Sequence, residues 1–169
     1  MLLVNDTALK DTSRGPRPLG PGYRLDAKGR QNAEDDRLRL LERIFDPLSH
    51  RRRALVRPGW RCLEVGAGRG SMAVWLAEQV GESGQVVATD VDVTYLSRLD
   101  LPNLEVCQHN ILDDPLDVLG PGSFDLVCSR LTLFWLASRQ ELAIRRMVKC
   151  LRPGGWLVIR TATGARLQL

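Results

Sequence analysis

Apolar residues follow two different spacings along the chain, and each spacing predicts a different kind of element. Between about residues 34 and 53 they recur every three or four positions, which is the repeat of one helical face. The residues on this predicted face are Leu38, Leu41, Phe45 and Leu48. Pro47 is expected to end or kink the helix. After Trp60 the pattern changes to short apolar runs separated by amphipathic stretches.

This second pattern predicts strands that alternate with helices. The predicted strands cover residues 61–65, 85–89, 104–108, 124–129 and 156–161. The predicted helices cover residues 70–80, 93–99 and 138–150. Such alternation is typical of a parallel sheet with right-handed crossovers. We therefore expect an α/β fold, a doubly wound and mainly parallel sheet of about five strands with helices on both faces and an N-terminal helical arm.

Length and composition predict how the chain is organised. A chain of 169 residues, 44% of them hydrophobic, suits one domain with a core of its own. Residues 1–22 are rich in Gly and Pro and are expected to form a flexible arm. Residues 23–57 are expected to form a helical lid or arm, and residues 58–169 the α/β domain.

Charge and hydropathy exclude several classes of function. The apolar runs are far shorter than the roughly 20 residues that a membrane-spanning helix needs. The apolar N-terminus is interrupted by Asn5 and Asp6, so we expect no signal peptide and a cytoplasmic protein without a membrane partner. The net charge is +4, but the basic residues are scattered among 20 acidic ones, which does not favour nucleic acid. The four cysteines form no CxxC pair, and no metal is expected.

The most informative segment is residues 62–71, which reads CLEVGAGRGS. A strand that enters a glycine-rich turn before a helix can present backbone amides to a ligand at the helix N-terminus. The dinucleotide fingerprint needs a glycine three positions after its second one. Here Ser71 holds that position, so an NAD-type oxidoreductase is not favoured.

Two acidic residues narrow the ligand further. The carboxylate of Glu64 would repel a pyrophosphate but suits a ligand with an ammonium and a sulfonium group. Asp90 ends the second predicted strand, about 20 residues beyond the loop, where an acid binds the ribose hydroxyls of a nucleotide. The alternative for Asp90 is an N-cap of the following segment, and Asp92 is the substitute if the register is shifted.

These residues, together with LRPGGW at positions 151–156, resemble the class I S-adenosylmethionine (SAM)-dependent methyltransferases. The segments YRLD at 23–26 and IFDP at 44–47 resemble bacterial small-molecule methyltransferases of biosynthetic clusters. The resemblance implies a Rossmann-like fold, SAM as cofactor, S-adenosylhomocysteine as product and a small-molecule acceptor. The loop after the fourth strand lacks the Asn/Asp-Pro-Pro-aromatic motif of nucleobase and glutamine methyltransferases, which favours that acceptor class and makes an RNA methyltransferase a weaker alternative.

The resemblance also implies roles for residues after the third and fourth strands. Asn110 would accept a hydrogen bond from the adenine amino group, with a turn-capping Asn as the alternative, and Leu112 or Ile111 would pack on the adenine. Arg130 would pair with the cofactor carboxylate, with a surface arginine as the alternative. The complete set of cofactor-binding candidates is Glu64, Gly66, Ala67, Gly68, Gly70, Asp90, Val91, Asn110, Ile111, Ser129 and Arg130.

Methyl transfer from a sulfonium is an in-line displacement, so positioning can supply most of the catalysis. A base helps only when the acceptor is a hydroxyl or a carbon acid. His109, His50 and Tyr23 are the candidates for that role, and the catalytic residues are otherwise unknown.

The chain ends at Leu169, whereas the sheet of this family normally has seven strands. We expect strand 156–161 to be an exposed apolar edge, because two strands that normally follow it are missing. Either the protein is a truncated form, or a homodimer or another subunit covers the edge. The main alternative to an active enzyme is therefore a non-catalytic or partner-dependent SAM-binding protein.

Overall fold

A computed structural model describes residues 27–50 and 56–160, with side chains in the first range limited to residues 32–46. The helices are α1 (Ala27–His50), α2 (Ser71–Val80) and α3 (Gln140–Cys150). The strands are β1 (Arg61–Val65), β2 (Gln85–Asp90), β3 (Leu104–Gln108), β4 (Phe124–Arg130) and β5 (Leu151–Arg160). The expectations for residues 1–22, for Tyr23 and for residue 161 lie outside the described residues.

The five strands form one parallel sheet in the order β3-β2-β1-β4-β5. The chain runs outward from β1 through β2 to β3, then crosses back to β4 on the other side of β1. The order therefore reverses between β1 and β4, and ligands of such sheets bind in the crevice at the carboxyl ends of the strands there. The predicted doubly wound, Rossmann-like α/β sheet is confirmed.

Both faces of the sheet are buried, because alternate residues of each strand point to opposite sides. On one side Leu63 and Val127 pack in a cluster that includes Met147 of α3. On the other side Cys62 and Val86 pack in a cluster with residues of α2. Burial raises the pKa of the Cys62 thiol to about 12, as expected of a cysteine that serves as a small hydrophobic residue.

Three elements, namely α1, the segment after β2 and β5, differ from the sequence prediction by more than two residues at one end or at both. Helix α1 continues past Pro47 to His50, so Pro47 does not end it. A 3₁₀ turn, Leu96–Arg98, replaces the predicted helix 93–99. The Asp92 side chain accepts hydrogen bonds from the Thr94 amide (2.9 Å) and hydroxyl, and this turn competes with an α-helix.

Strand β5 begins five residues before the predicted position 156, because Leu151 already pairs with Phe124. The register then shifts, and Trp156 pairs with Leu126. Gly155 lies in the irregular stretch, where an added Cβ would be 2.8 Å from the Phe124 carbonyl oxygen. Glycine is therefore required for the close approach of the two backbones. Within the described ranges, no helix is long and apolar enough to cross a membrane.

Replacing Leu63 by Ala tests the central position of β1. Leu63 is fully buried, so Leu63→Ala should lower the free energy of unfolding by about 2–5 kcal/mol, measured by urea denaturation. The matched control Leu142→Ala removes the same atoms from a side chain that is 40% exposed on α3, and its effect should stay below about 1 kcal/mol. Equal losses in the two variants would contradict this assignment of the core.

Candidate cofactor site

The turn between β1 and α2 lies at the point where the strand order reverses. Gly66, Gly68 and Gly70 have φ values of 75°, 60° and 87°, which favour glycine. The amides of Gly66 and Ala67 donate to the Thr89 carbonyl oxygen at 2.8 and 2.9 Å, so the turn is held against the end of β2. An added Cβ at Gly66 would lie 2.0 Å from the Thr132 hydroxyl oxygen.

Asp90 joins the end of β2 to this glycine turn. Its Oδ2 accepts a hydrogen bond of 2.8 Å from the Gly68 amide, and its Oδ1 accepts one of 3.2 Å from the Asp92 amide. Each carboxylate oxygen can accept further bonds, so both can still receive the two hydroxyls of a ribose. No α-helix follows Asp90 within the next ten residues, which removes the alternative of a helix N-cap.

Glu64 is the most unusual residue of the site. Its side chain is 1% exposed, and its Oε2 has no hydrogen-bond partner among the described residues. Burial raises the pKa of Glu64 to about 8; Arg130 opposes the shift, while Asp90, Asp46 and Glu42 add to it. A buried carboxyl group without a partner is costly. It suits a site that is completed by a cationic group such as the ammonium of SAM.

Arg130 follows Ser129 at the end of β4, and its side chain is only 11% exposed, which excludes the alternative of a surface arginine. The guanidinium forms an ion pair with Asp46 of α1 and donates a hydrogen bond of 2.9 Å to the Ser71 hydroxyl. The same hydroxyl donates to Asp46 at 3.1 Å. The Ser129 hydroxyl is used internally and donates to the Val65 carbonyl oxygen at 2.9 Å. Pairing of Arg130 with the cofactor carboxylate stays a prediction.

One face of α1 lies against the glycine turn. Its residues recur at three- and four-residue spacing, and they are Asp35, Leu38, Glu42 and Asp46. Asp35 forms an ion pair with Arg69, and a Glu42 oxygen lies 3.4 Å from the Arg69 Nε. A Leu38 methyl lies 3.3 Å from the position that a Cβ on Gly68 would take. The sequence prediction missed these acids, because the apolar repeat of α1 gives no sign of what its polar neighbours contact.

In the loop after β3, Asn110 has the turn-capping geometry that was the alternative to an adenine contact. Its Oδ1 accepts a hydrogen bond of 3.0 Å from the Leu112 amide, which is a turn-capping role, although a second lone pair remains for an adenine amino group. Ile111 is buried in the core, whereas Val91 after β2 is exposed. The Arg146 guanidinium of α3 donates to the Ile111 carbonyl oxygen and so supports this loop.

The three candidates for a base are placed as follows. His109 is buried, and its Nε2 lies 3.2 Å from the Pro115 carbonyl oxygen, which ties the end of β3 to the next turn. Its Nδ1 has no partner within the part of the chain that is described. His50 ends α1, but its side chain and the whole of Tyr23 lie outside the described residues.

The raised pKa of Glu64 predicts a pH-dependent stability of the cofactor-free protein. Because the pKa is about 8 in the folded protein and ordinarily 4.5, the folded state holds the proton more tightly. This contribution is complete below the ordinary value and is lost as pH rises from there through the folded value. Glu64→Gln has no such proton, so its stability relative to wild type should increase between pH 5 and 8.5, measured by urea unfolding.

Glu78→Gln, a substitution at an exposed position of α2, is the control and should show no such trend. A stability difference between Glu64→Gln and wild type that is constant over the same pH range would show that Glu64 is not protonated in the folded protein.

Comparisons with known proteins match this chain to methyltransferases. A family model described as a methyltransferase domain matches residues 63–159. The ubiquinone/menaquinone biosynthesis C-methyltransferase of Paraburkholderia xenovorans is 30% identical over 109 residues, which cover 63% of this chain and 44% of the relative. The chain thus spans less than half the length of the curated relatives it matches.

Two solved structures are similar in fold and in sequence. A SAM-dependent methyltransferase of Aquifex aeolicus has a TM-score of 0.54 at 27% identity, with 62% of this chain and 57% of that chain covered. An arsenic(III) S-adenosylmethionine methyltransferase of Chlamydomonas reinhardtii has a TM-score of 0.54 at 28% identity, with 62% and 39% covered. Because the family model covers more than half of the chain and includes the glycine turn, Asp90 and Arg130, the protein belongs to the methyltransferase-domain family of class I SAM-dependent methyltransferases.

Proposed function

We propose that this protein transfers a methyl group from SAM to a small-molecule acceptor of a biosynthetic pathway. The observation that carries the proposal is the buried Glu64 side chain, whose Oε2 has no hydrogen-bond partner among the described residues, beside a glycine turn at the reversal point of the sheet. A dinucleotide pyrophosphate would be repelled by this carboxyl group once ionised, whereas a cofactor with an ammonium group would complete its hydrogen bonding.

Different described residues would bind different parts of SAM. Glu64 would hold the ammonium group, Asp90 the ribose hydroxyls, and the free Asn110 lone pair the adenine amino group. The amides of Gly66, Ala67, Gly68 and Gly70 are already bonded within the protein, so the side chains carry this assignment. When bound, SAM supplies a methyl group already activated by its sulfonium.

The contribution of this chain to catalysis is then mainly to position two reactants. Holding them in line can lower the barrier by roughly 7–11 kcal/mol without covalent help from the protein. The curated relatives are named as C-methyltransferases of quinone biosynthesis, so an electron-rich aromatic carbon is the first acceptor to test. A cytoplasmic location stays a prediction. So does pairing of the 156–161 edge with a second copy or another subunit; β5 ends the described sheet there.

Asp90→Asn tests the assignment of the ribose subsite. The substitution keeps the shape and an oxygen for the Gly68 amide but removes the charge that strengthens two hydrogen bonds to the ligand. We expect the Kd for SAM to rise about tenfold or more in calorimetry, since such bonds are worth about 1.5–3 kcal/mol. The neighbouring Asp92→Asn, which alters only the turn to Thr94, should change the Kd by less than about threefold. A reversed order of the two effects would move the subsite to Asp92.

The activity itself is tested with SAM that carries a labelled methyl group. Transfer of label into one compound of a pool of phenols, quinols and small amines is expected, and it should be lost in Glu64→Gln because the ammonium partner is removed. Binding of SAM without transfer to any acceptor would favour the non-catalytic SAM-binding alternative. Tight binding of NAD without binding of SAM would contradict the proposal.

A further inference from the structure

The charges that surround Glu64 are not balanced. Among the described residues, three other carboxylates, those of Asp90, Asp46 and Glu42, interact with it, but only one guanidinium, that of Arg130, does so. Four carboxylates and one guanidinium have a net charge of −3 when all are ionised. The nearby Arg69 pairs with both Glu42 and Asp35, so that counting Arg69 and Asp35 together leaves the net charge at −3.

Two of these carboxylates come from α1 and not from the sheet. Asp46 contacts Arg130 and Ser71, which places it at the ends of β4 and α2 beside the glycine turn. Glu42 lies one turn earlier on the same face, and one of its carboxylate oxygens is 3.4 Å from the Arg69 Nε. Burial raises the pKa of Glu42, and the carboxylate of Asp46, four residues later on the same helical face, raises it further.

The two forms of the cofactor differ in charge where this imbalance acts. SAM carries a sulfonium, an ammonium and a carboxylate, so its net charge is positive, whereas S-adenosylhomocysteine has lost the sulfonium charge and is neutral overall. A surplus of carboxylates in a partly buried site stabilises the cation more than the neutral product, because screening by water is weak there.

We propose that Glu42 and Asp46 determine specificity for the cationic cofactor: through the negative potential they add at the glycine turn, the site prefers SAM over S-adenosylhomocysteine. This inference rests on the proposed function and deepens it. The consequence is that loss of the methyl group weakens binding of the spent cofactor, so the product is released more readily than a neutral site would allow.

The test is the ratio of two dissociation constants, Kd for S-adenosylhomocysteine divided by Kd for SAM, measured by calorimetry. In Glu42→Gln and in Asp46→Asn this ratio should fall about three- to tenfold below that of wild type, the effect of one charge acting across a partly screened site. The conservative variant Glu42→Asp keeps the charge and should retain the wild-type ratio. Sinefungin, which carries an ammonium in place of the methyl sulfonium, should follow SAM.

The ratio of the two dissociation constants distinguishes an effect on the preference for SAM from an effect on the packing of α1. Asp35→Asn is the matched control, since it removes an ion pair from the same face of α1 without being among the charges that act on Glu64. It should weaken both ligands together and leave the ratio unchanged. If Glu42→Gln and Asp46→Asn also weaken both ligands equally, these residues only hold the helix, and the inference is overturned.

The same data distinguish this inference from the proposed function. Wild-type protein that binds neither SAM nor S-adenosylhomocysteine would contradict the proposed function itself. Wild-type protein that binds both, with a ratio that neither substitution changes, would overturn the role of Glu42 and Asp46 alone. Raising the ionic strength should lower the ratio in wild type more than in Asp46→Asn, because salt screens the charge that the variant lacks.

Discussion

The site depends on one constraint, a buried carboxyl group with one oxygen that has no hydrogen-bond partner among the described residues. Glu64 lies on the central strand β1, between β2 and β4, where it pairs in register with Ala88 and Cys128. Burial of such a group is unfavourable unless a proton or a cation neutralises it. The raised pKa means that a proton neutralises Glu64 in the free protein at neutral pH. A cationic cofactor would neutralise it in the complex.

Helix α1 acts on this constraint from the opposite side of the crevice. Its acidic face lies on the glycine turn and makes the surroundings of Glu64 more negative, while Arg130 and Arg69 hold that face in place. The acidic face of α1 therefore has opposite effects on the stability of the cofactor-free protein and on the binding of a cation. The carboxylates that disfavour an empty site with an ionised Glu64 are the ones that favour a cation within it.

Much of the fold and the centre of the site could be predicted from the sequence, because their signals are local. The strand-turn-helix spacing around Gly66 and the acid at the end of β2 are patterns of adjacent residues, and β1 and β3 were predicted to the residue. The contacts of α1 were missed, because Asp46 and Arg130 are 84 positions apart and neither sequence segment indicates that the other is its partner. Likewise, the irregular start of β5 follows from pairing with Phe124 on another strand.

Proton release on cofactor binding measures directly whether Glu64 pairs with the cofactor. At pH 6.5 Glu64, with a pKa of about 8, holds a proton in the free protein and must lose it to pair with an ammonium group. Calorimetric titration with SAM in buffers of different ionisation enthalpy should therefore show release of nearly one proton per site, and none in Glu64→Gln. Binding of SAM by wild-type protein with no proton release would contradict this role of Glu64, because Glu64 would then be either ionised beforehand or not the partner of the cation.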